Sequence, residues 1–332
     1  MHRRTFAKFA LSSFALPWLP KVSAHTSSRL DAAFNSLDQL YSLQIQVGDQ
    51  LLYAQAPRGP GLDSLAPIKS CSKSLVALLL GSCIARNEID SVERRLVEVA
   101  PGLIPESATE GVDKITLEDL VTLQAGLEGT SGQEYGVWVN SANWIEDALT
   151  RPLVEEPGEG MVYSTGTTHL LGAVLTEVTG KSLLQLARER LGEPMGFRIP
   201  PWVQDPQGYY LGGNGMAMTP RAMLKVAQLV RDDGRYQGRQ LLPENWMQAS
   251  KIPRTQSPYS GMGYGYGWFI SASGYVMARG YGGQIIAAHP QTQMALAITS
   301  DPNRPAYSEG YFGDLMQLLE GPVMEMTIRE SA

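Results

Sequence analysis

Ser70-Cys71-Ser72-Lys73 places a hydroxyl three residues ahead of an amine, at the start of an apolar run that contains Leu75, Val76, Leu78, Leu79 and Leu80. On a helix, residues three apart share a face, so the amine can reach the hydroxyl. Burial disfavours the charged ammonium and lowers a lysine pKa. A partly neutral lysine can take the serine proton and make the serine a nucleophile. The tetrapeptide alone carries little weight. With 26 Ser and 8 Lys in 332 residues, chance gives about 0.6 matches per chain. An N-cap serine followed by a lysine that extends to solvent fits the same letters.

Nucleophilic chemistry at Ser70 needs a second proton carrier and donors for an oxyanion. Tyr163-Ser164-Thr165 follows Pro157-Gly158-Glu159-Gly160 and precedes an apolar helical stretch, so Tyr163 sits on a tight loop at a helix entrance. Beside a lysine ammonium its phenolate is favoured, which predicts a lowered pKa. The bland alternative is a loop tyrosine covering apolar surface. Gly280-Tyr281-Gly282-Gly283-Gln284 enters a strand-like run, Gln284–His289. Its glycines let backbone approach a substrate. An edge strand there would leave the Gln284 N–H free to join that of Ser70 in an oxyanion hole. The alternative is a Gly-rich hairpin turn. Cys71 is set aside as a nucleophile, since no histidine lies nearby and small buried cysteines are common.

The elements that must hold these residues divide by period. Leu30, Phe34, Leu37 and Leu40 give a helix over residues 28–38. Leu43–Val47 and Leu51–Ala54, split by Gly48-Asp49-Gln50, read as a hairpin. Residues 70–200 are mostly helical, with Thr116 as a cap, Gly126 as a stop, and helices at Asn143–Ala148, Thr167–Thr179 and Ser182–Leu191. Thr219-Pro220 opens another helix with Pro at its first position. From residue 264 the period falls to two, giving strands Tyr264–Ile270, Tyr275–Arg279, Gln284–His289 and Met294–Thr299, and residues 307–320 close with a helix. Gly261–Gly267 reads as a flexible loop. Tyr135, Trp138, Trp144, Tyr209 and Tyr210 line an apolar cleft or sit in a core. The fold class is α+β: one antiparallel sheet flanked by terminal helices, with an inserted all-helical region. The expected division is 25–68 and 205–332 for the sheet domain and 69–204 for the helical one.

Ser70-x-x-Lys73, Tyr163-Ser164-Thr165 and Gly282-Gly283, in that order, resemble the three motifs of the serine β-lactamase and penicillin-binding protein superfamily. Ile115-Thr116-Leu117-Glu118-Asp119-Leu120 with Gln124-Ala125-Gly126-Leu127, Met218-Thr219-Pro220-Arg221 and Tyr264-Gly265-Tyr266-Gly267-Trp268 are similar to its class C-like and esterase-like branch. The resemblance covers roughly residues 28–320 and implies a β-lactamase/transpeptidase-like fold. It also implies roles: Ser70 acylated, Lys73 accepting the proton, Tyr163 relaying it, and the Ser70 and Gln284 amides holding the oxyanion, with Gly282, Gly283, Tyr281 and Thr165 contacting substrate. Two positions depart from the pattern. Thr165 stands where Asn or Ser is usual, and Tyr281 where Lys or His holds a substrate carboxylate. The missing cation turns the expectation from β-lactams toward an ester, amide or small cyclic substrate, as in the family's esterases and 6-aminohexanoate-dimer-type amidases. Arg279 is the nearby residue that could restore the charge.

The N-terminus reads as an export signal over residues 1–24. Arg3-Arg4 precedes an apolar stretch from Phe9 to Leu19 and the small residues Val22-Ser23-Ala24, which suggests the twin-arginine route and a periplasmic or secreted enzyme. Losing Arg3, Arg4, Lys8 and Lys21 moves the formal charge from −6 to −10. No basic tract remains, which argues against nucleic acid as a partner. The apolar stretch is too short to span a bilayer. Cys71 and Cys83, on one helix, are about 18 Å apart along the axis, beyond disulfide reach. No G-x-S-x-G occurs, and His2, His25, His169 and His289 lack metal-ligand spacing, so neither a metal nor a cofactor is expected. The expected function is an exported serine hydrolase acting on a small ester, amide or peptide-like substrate. The alternatives are a β-lactamase or D-alanyl-D-alanine carboxypeptidase and, from another class, a non-hydrolytic cell-wall sensor on the same scaffold.

Overall fold

Alternation in two central strands explains the architecture. In Gln284–His289, Ile285 and Ala287 enter one core while Ile286 and Ala288 enter another. In Met294–Ser300, Met294, Leu296 and Ile298 enter the first and Ala295 and Ala297 the second. Strands apolar on both faces must be covered on both faces. The computed structural model describes residues 24–330. Its main sheet comprises β1 (Leu40–Val47), β2 (Gln50–Gln55), β3 (Thr255–Gln256), β4 (Gly263–Tyr264), β5 (Phe269–Ile270), β6 (Val276–Gly280), β7 (Gln284–His289) and β8 (Met294–Ser300). The spatial order is β2-β1-β8-β7-β6-β5-β4-β3, and every pairing is antiparallel.

Helix α1 (Ala24–Ser36) and the C-terminal helices cover one face through Leu30, Phe34, Phe312 and Leu315. The other face carries alanines at 288, 295 and 297, whose small side chains let helices approach closely. Helices α2 (Ser72–Ala85), α3 (Thr165–Thr179) and α4 (Pro220–Arg231) share the second core with that face. Residues Ser72 to Cys83 of α2 are all buried, as expected of a helix apolar all round. Truncating Leu78 there would cost on the order of 2–5 kcal/mol. Thr219 Oγ1 caps α4 by accepting from the Ala222 amide at 3.1 Å, and Pro220 takes the first helical position. Helix α5 (Tyr311–Leu318) lies beyond the last strand.

The α+β class and the antiparallel sheet are as the sequence predicts, and three local expectations are corrected. Tyr264–Ile270 is not one strand but two, β4 and β5, because Gly265–Trp268 turns between them. Of the Gly261–Gly267 loop, the later part is packed: a Cβ on Gly265 would lie 2.2 Å from the Ser250 carbonyl oxygen, and one on Gly267 2.6 Å from Ala77 Cβ, whereas Gly261 is exposed. β7 is not an edge strand, since β6 and β8 pair with it on either side. Cys71 and Cys83 are separate buried thiols. The expected export signal spans residues 1–24, of which all but Ala24 lie outside the described residues. Among the described residues no helix is long and apolar enough to cross a membrane.

Candidate active site

Ser70 sits on a 3-10 turn, Lys69–Cys71, that leads into α2. Lys69 adopts a left-handed φ of +52°, a conformation costly for a side chain with a Cβ. The turn is held by the Ser72 hydroxyl, which donates to the Lys69 carbonyl at 2.7 Å, and by the Ile68 amide, which donates to Met216 O at 3.0 Å. β6 passes so close that a Cβ on Gly280 would lie 2.3 Å from Ile68 O and 3.1 Å from Lys69 Cβ. Glycine at 280 is what lets that strand end beside Ser70.

Lys73 lies one turn into the helix and is 3% exposed. Its Nζ donates to Gly213 O at 2.8 Å, Thr165 Oγ1 at 3.3 Å and Ser70 Oγ at 3.4 Å. No carboxylate is among these partners. Burial therefore draws the amine down from 10.5 to about 7, as the sequence expects. The contact to Ser70 is long, as such contacts often are before substrate binds.

Tyr163 corrects the sequence expectation. Its pKa is raised, not lowered, because burial disfavours the phenolate more than its hydrogen bond with Ser70 and the charge of Arg279 favour it. Lys73 does not offset this, since its Nζ lies over the Tyr163 ring, 4.9 Å from the centroid. The Tyr163 loop is fixed by the next residues. Ser164 Oγ caps α3, accepting from Thr167 N at 3.4 Å and from Thr130 N at 3.2 Å. Thr165 N donates to Ser131 Oγ, and the two hydroxyls share a 2.9 Å bond.

The cleft in front of Ser70 has a volume of about 480 Å³. Ser70, Tyr163, Thr165 and Tyr281 all line it, joined by Tyr135, Phe269 and Phe312. Gly282, Gly283 and Gln284 do not. Gln284 is 1% exposed, and its side chain donates to Ser300 O and accepts from Ser300 N. Its carbonyl accepts from Cys71 Sγ at 3.5 Å. Gly282 and Gly283 adopt φ of +82° and +89° in the turn that returns β6 to β7. The expectation that Gln284 presents an amide to substrate is thus corrected: the strand is interior, and the backbone that reaches the cleft belongs to Gly280 and Tyr281.

Arg279 faces the cleft. Its guanidinium carbon lies 5.0 Å from the Phe269 ring centre and 3.2 Å from that of Phe312. Among the described residues it makes no salt bridge, and no Asp or Glu lines the cleft, whereas Lys69 does. Burial draws Arg279 down to about 10, so it remains charged at neutral pH. The cation that Tyr281 cannot supply is therefore present two residues earlier. Cys71 is fully buried and its thiol is pushed up by burial, which leaves it unreactive. His289 bonds to Ser273 O at 2.8 Å. Among the described residues no cluster of three or more His, Cys, Asp or Glu could hold a metal.

Gly213, Ser131, Phe269 and Phe312 escape sequence reasoning. The only signal for Gly213 is the run Gly212-Gly213-Asn214-Gly215, which reads as an ordinary turn. A Cβ on Gly213 would in fact lie 2.8 Å from Thr165 O and 3.2 Å from Lys73 Nζ.

A family model described as Beta-lactamase matches residues 41–311. Over 171 residues, 45% of this chain, the sequence is 25% identical to the lovastatin esterase of Penicillium rubens, and the match spans 42% of that relative's length. A solved Bacillus anthracis structure, provisionally described as a 6-aminohexanoate-dimer hydrolase, superposes with a TM-score of 0.72 at 19% identity, covering 92% of this chain and 82% of that one. A mutant form of the simvastatin synthase of Aspergillus terreus gives a TM-score of 0.70 at 18% identity, covering 92% and 100%. At such identities the two structures establish the fold alone.

Proposed function

Because the chain belongs to the β-lactamase family, we propose that it is an exported serine hydrolase that cleaves an ester or amide bond through an acyl-enzyme on Ser70. The observation that carries this is the buried Lys73 Nζ, 3.4 Å from Ser70 Oγ and drawn down to about 7. At neutral pH a large share of Lys73 is unprotonated and can take the Ser70 proton as Oγ attacks the carbonyl carbon. The oxyanion then lies before the amides of Ser70 and Tyr281. Tyr163, kept protonated by burial, gives its proton to the leaving oxygen or nitrogen as the bond breaks, and recovers one from Lys73. Water attacks the Ser70 ester, Lys73 takes its proton and returns it to Ser70 Oγ as the carbon–Oγ bond breaks, and the acid and free Ser70 are released.

Arg279, without a salt bridge among the described residues, together with Lys69 and no described carboxylate lining the cleft, supports a substrate that carries a carboxylate or similar anion near the scissile bond. The phenyl rings of Phe269 and Phe312 supply apolar surface beside it. The partial likeness to a fungal esterase favours esters over amides. Export rests on the order of basic, apolar and small residues before Ala24. Arg279 also keeps β-lactams and peptides ending in a carboxylate within reach, and nitrocefin turnover measures that share.

Intact-mass spectrometry after exposure to a fluorophosphonate tests the assignment, together with turnover of p-nitrophenyl esters. The expected result is one adduct on Ser70, ester turnover, and loss of both in Ser70→Ala. Wild-type turnover in Ser70→Ala would overturn it. An adduct that persists with no turnover would favour the non-hydrolytic sensor.

A further inference from the structure

His169 and Asp205 form a completely buried pair that the chemistry above leaves unused. His169 Nε2 lies 2.9 Å from Asp205 Oδ2, and both side chains have no exposure. The other ring nitrogen, Nδ1, accepts from the Gly212 amide at 3.4 Å. An amide can only donate, so Nδ1 is unprotonated and the ring proton sits on Nε2, donated to Asp205. Asp205 is fixed in turn: its Oδ1 accepts from the Gln207 and Tyr209 amides at 2.9 and 2.8 Å. The rings of Trp138 and Trp144 stand edge-on to the imidazole at 5.7 and 5.5 Å. Rotation of the ring is therefore blocked by packing as well as by bonds.

Gly212 precedes Gly213, whose carbonyl is the shortest contact of Lys73. Helix α3 carries both ends of this arrangement. Thr165 touches Lys73, and His169, one turn later on the same face, grips the amide that leads to Gly213. The segment has no slack against the helix, because a Cβ on Gly212 would lie 2.4 Å from Thr168 O. We infer that His169 and Asp205 are positioning residues: they fix the Gly212-Gly213 backbone so that the Gly213 carbonyl holds Lys73 Nζ against Ser70. Neither touches substrate. This rests on Lys73 being the proton acceptor.

The test uses the tautomer. In Asp205→Asn the shape is kept, and the two amides at Oδ1 compel the oxygen to stay there. The new NH2 group must then face His169, which moves the ring proton to Nδ1, against the Gly212 amide. A buried aspartate holding a histidine tautomer has the same vulnerability in the serine-protease triad. The titratable groups that face Lys73 are Cys71 and Tyr163, and Asp205 is the one that faces His169. A carbonyl favours the charged form of an amine, so its retreat lowers the Lys73 pKa.

The expected outcome for Asp205→Asn and His169→Leu is a fall in kcat/KM of roughly 10- to 100-fold, the scale of a small misplacement. It should be carried by kcat, and the acid limb of the pH–rate profile should move to lower pH. His169→Asn, whose Oδ1 can replace Nδ1 as acceptor, should keep the limb near its wild-type position. ¹⁵N NMR should show the ring proton on Nε2 in the wild type and on Nδ1 in Asp205→Asn. An unmoved limb in Asp205→Asn with the tautomer switched would overturn the inference. So would equal losses in all three variants that track melting temperature alone. Neither outcome touches the Ser70 assignment, which stands or falls on the Ser70→Ala adduct.

Discussion

Lys73 Nζ stands over the face of the Tyr163 ring, 4.9 Å from its centre, which leaves the phenolic oxygen to Ser70. A cation over a ring face is attracted by the ring quadrupole, but it does little to stabilise charge on the phenolate oxygen. Burial then dominates at both residues. It pushes the amine toward its neutral form and the phenol toward its protonated form. Two neighbouring groups whose environments drive their pKa values in functionally opposite directions make an acid and a base.

The pH–rate profile should reflect that division. Ester hydrolysis by the wild type is expected to rise with pH through about 7 as Lys73 loses its proton. It should not fall again below pH 10, because the phenol is held above its ordinary value of 10.0. Tyr163→Phe should lower kcat by about 10²-fold, the scale of general acid catalysis, while the acid limb stays in place. Stopped-assay rates from pH 5 to 10 on both proteins check this. A descending limb near pH 8 would mean that the group that must stay protonated titrates there, which a phenol held above 10.0 does not, and would overturn Tyr163 as the acid.

Arg279 should govern KM in a charge-dependent way. Arg279→Ala is expected to raise KM for an ester bearing a carboxylate by about tenfold or more, the worth of one charge-assisted hydrogen bond. KM for a neutral p-nitrophenyl ester should move little. Arg279→Lys should recover only part of the loss, because a compact ammonium cannot stack between Phe269 and Phe312 as a planar guanidinium does. Equal effects on charged and neutral esters would show that Arg279 acts through packing and not as an anion receptor.

The sequence reaches the sheet, the principal helices and the Ser70/Lys73 pair because each rests on a local signal: a period, a cap or a spacing. Thr219-Pro220 opens α4 for reasons contained in two residues. It fails where the answer depends on what lies across the fold. That β7 is interior follows only from β6 and β8 flanking it. That Tyr163 is raised follows from burial and from where the lysine lands on its ring. Gly213 enters the site through a carbonyl that any residue would possess. Arg279 lines the cleft because the strand's phase puts it there, which looking for the charge at Tyr281, two residues later, hides.

Lys73 should cost the fold stability. Its folded pKa of about 7 lies below the value of 10.5 for an exposed lysine, so between those pH values the folded chain binds fewer protons than the unfolded one. Stability therefore rises with pH through that window, and the full cost is present below it. The cost is on the order of 3 kcal/mol at pH 8 and about 5 kcal/mol below pH 6. Lys73→Met, similar in length and free of charge, is expected to unfold at a higher denaturant concentration than the wild type at pH 6, with the gap narrowing toward pH 10. Identical midpoints across that range would mean that Lys73 is not desolvated in the native state.

Gly213→Ala tests the carbonyl that faces Lys73. The added methyl would meet Thr165 O at 2.8 Å and Lys73 Nζ at 3.2 Å. The first neighbour is helix backbone and cannot swing aside, so the Gly212-Gly213 segment must retreat and take its carbonyl off the amine. The expected result is a loss in kcat/KM of roughly 10- to 100-fold. Gly102→Ala is the control: no atom lies within 4 Å of the methyl it would add, and its φ is not left-handed, so activity and melting temperature should stay close to wild type. Full activity in Gly213→Ala would mean that the 2.8 Å contact from Lys73 does not aim the amine at Ser70, and that Thr165 alone is enough to hold it there.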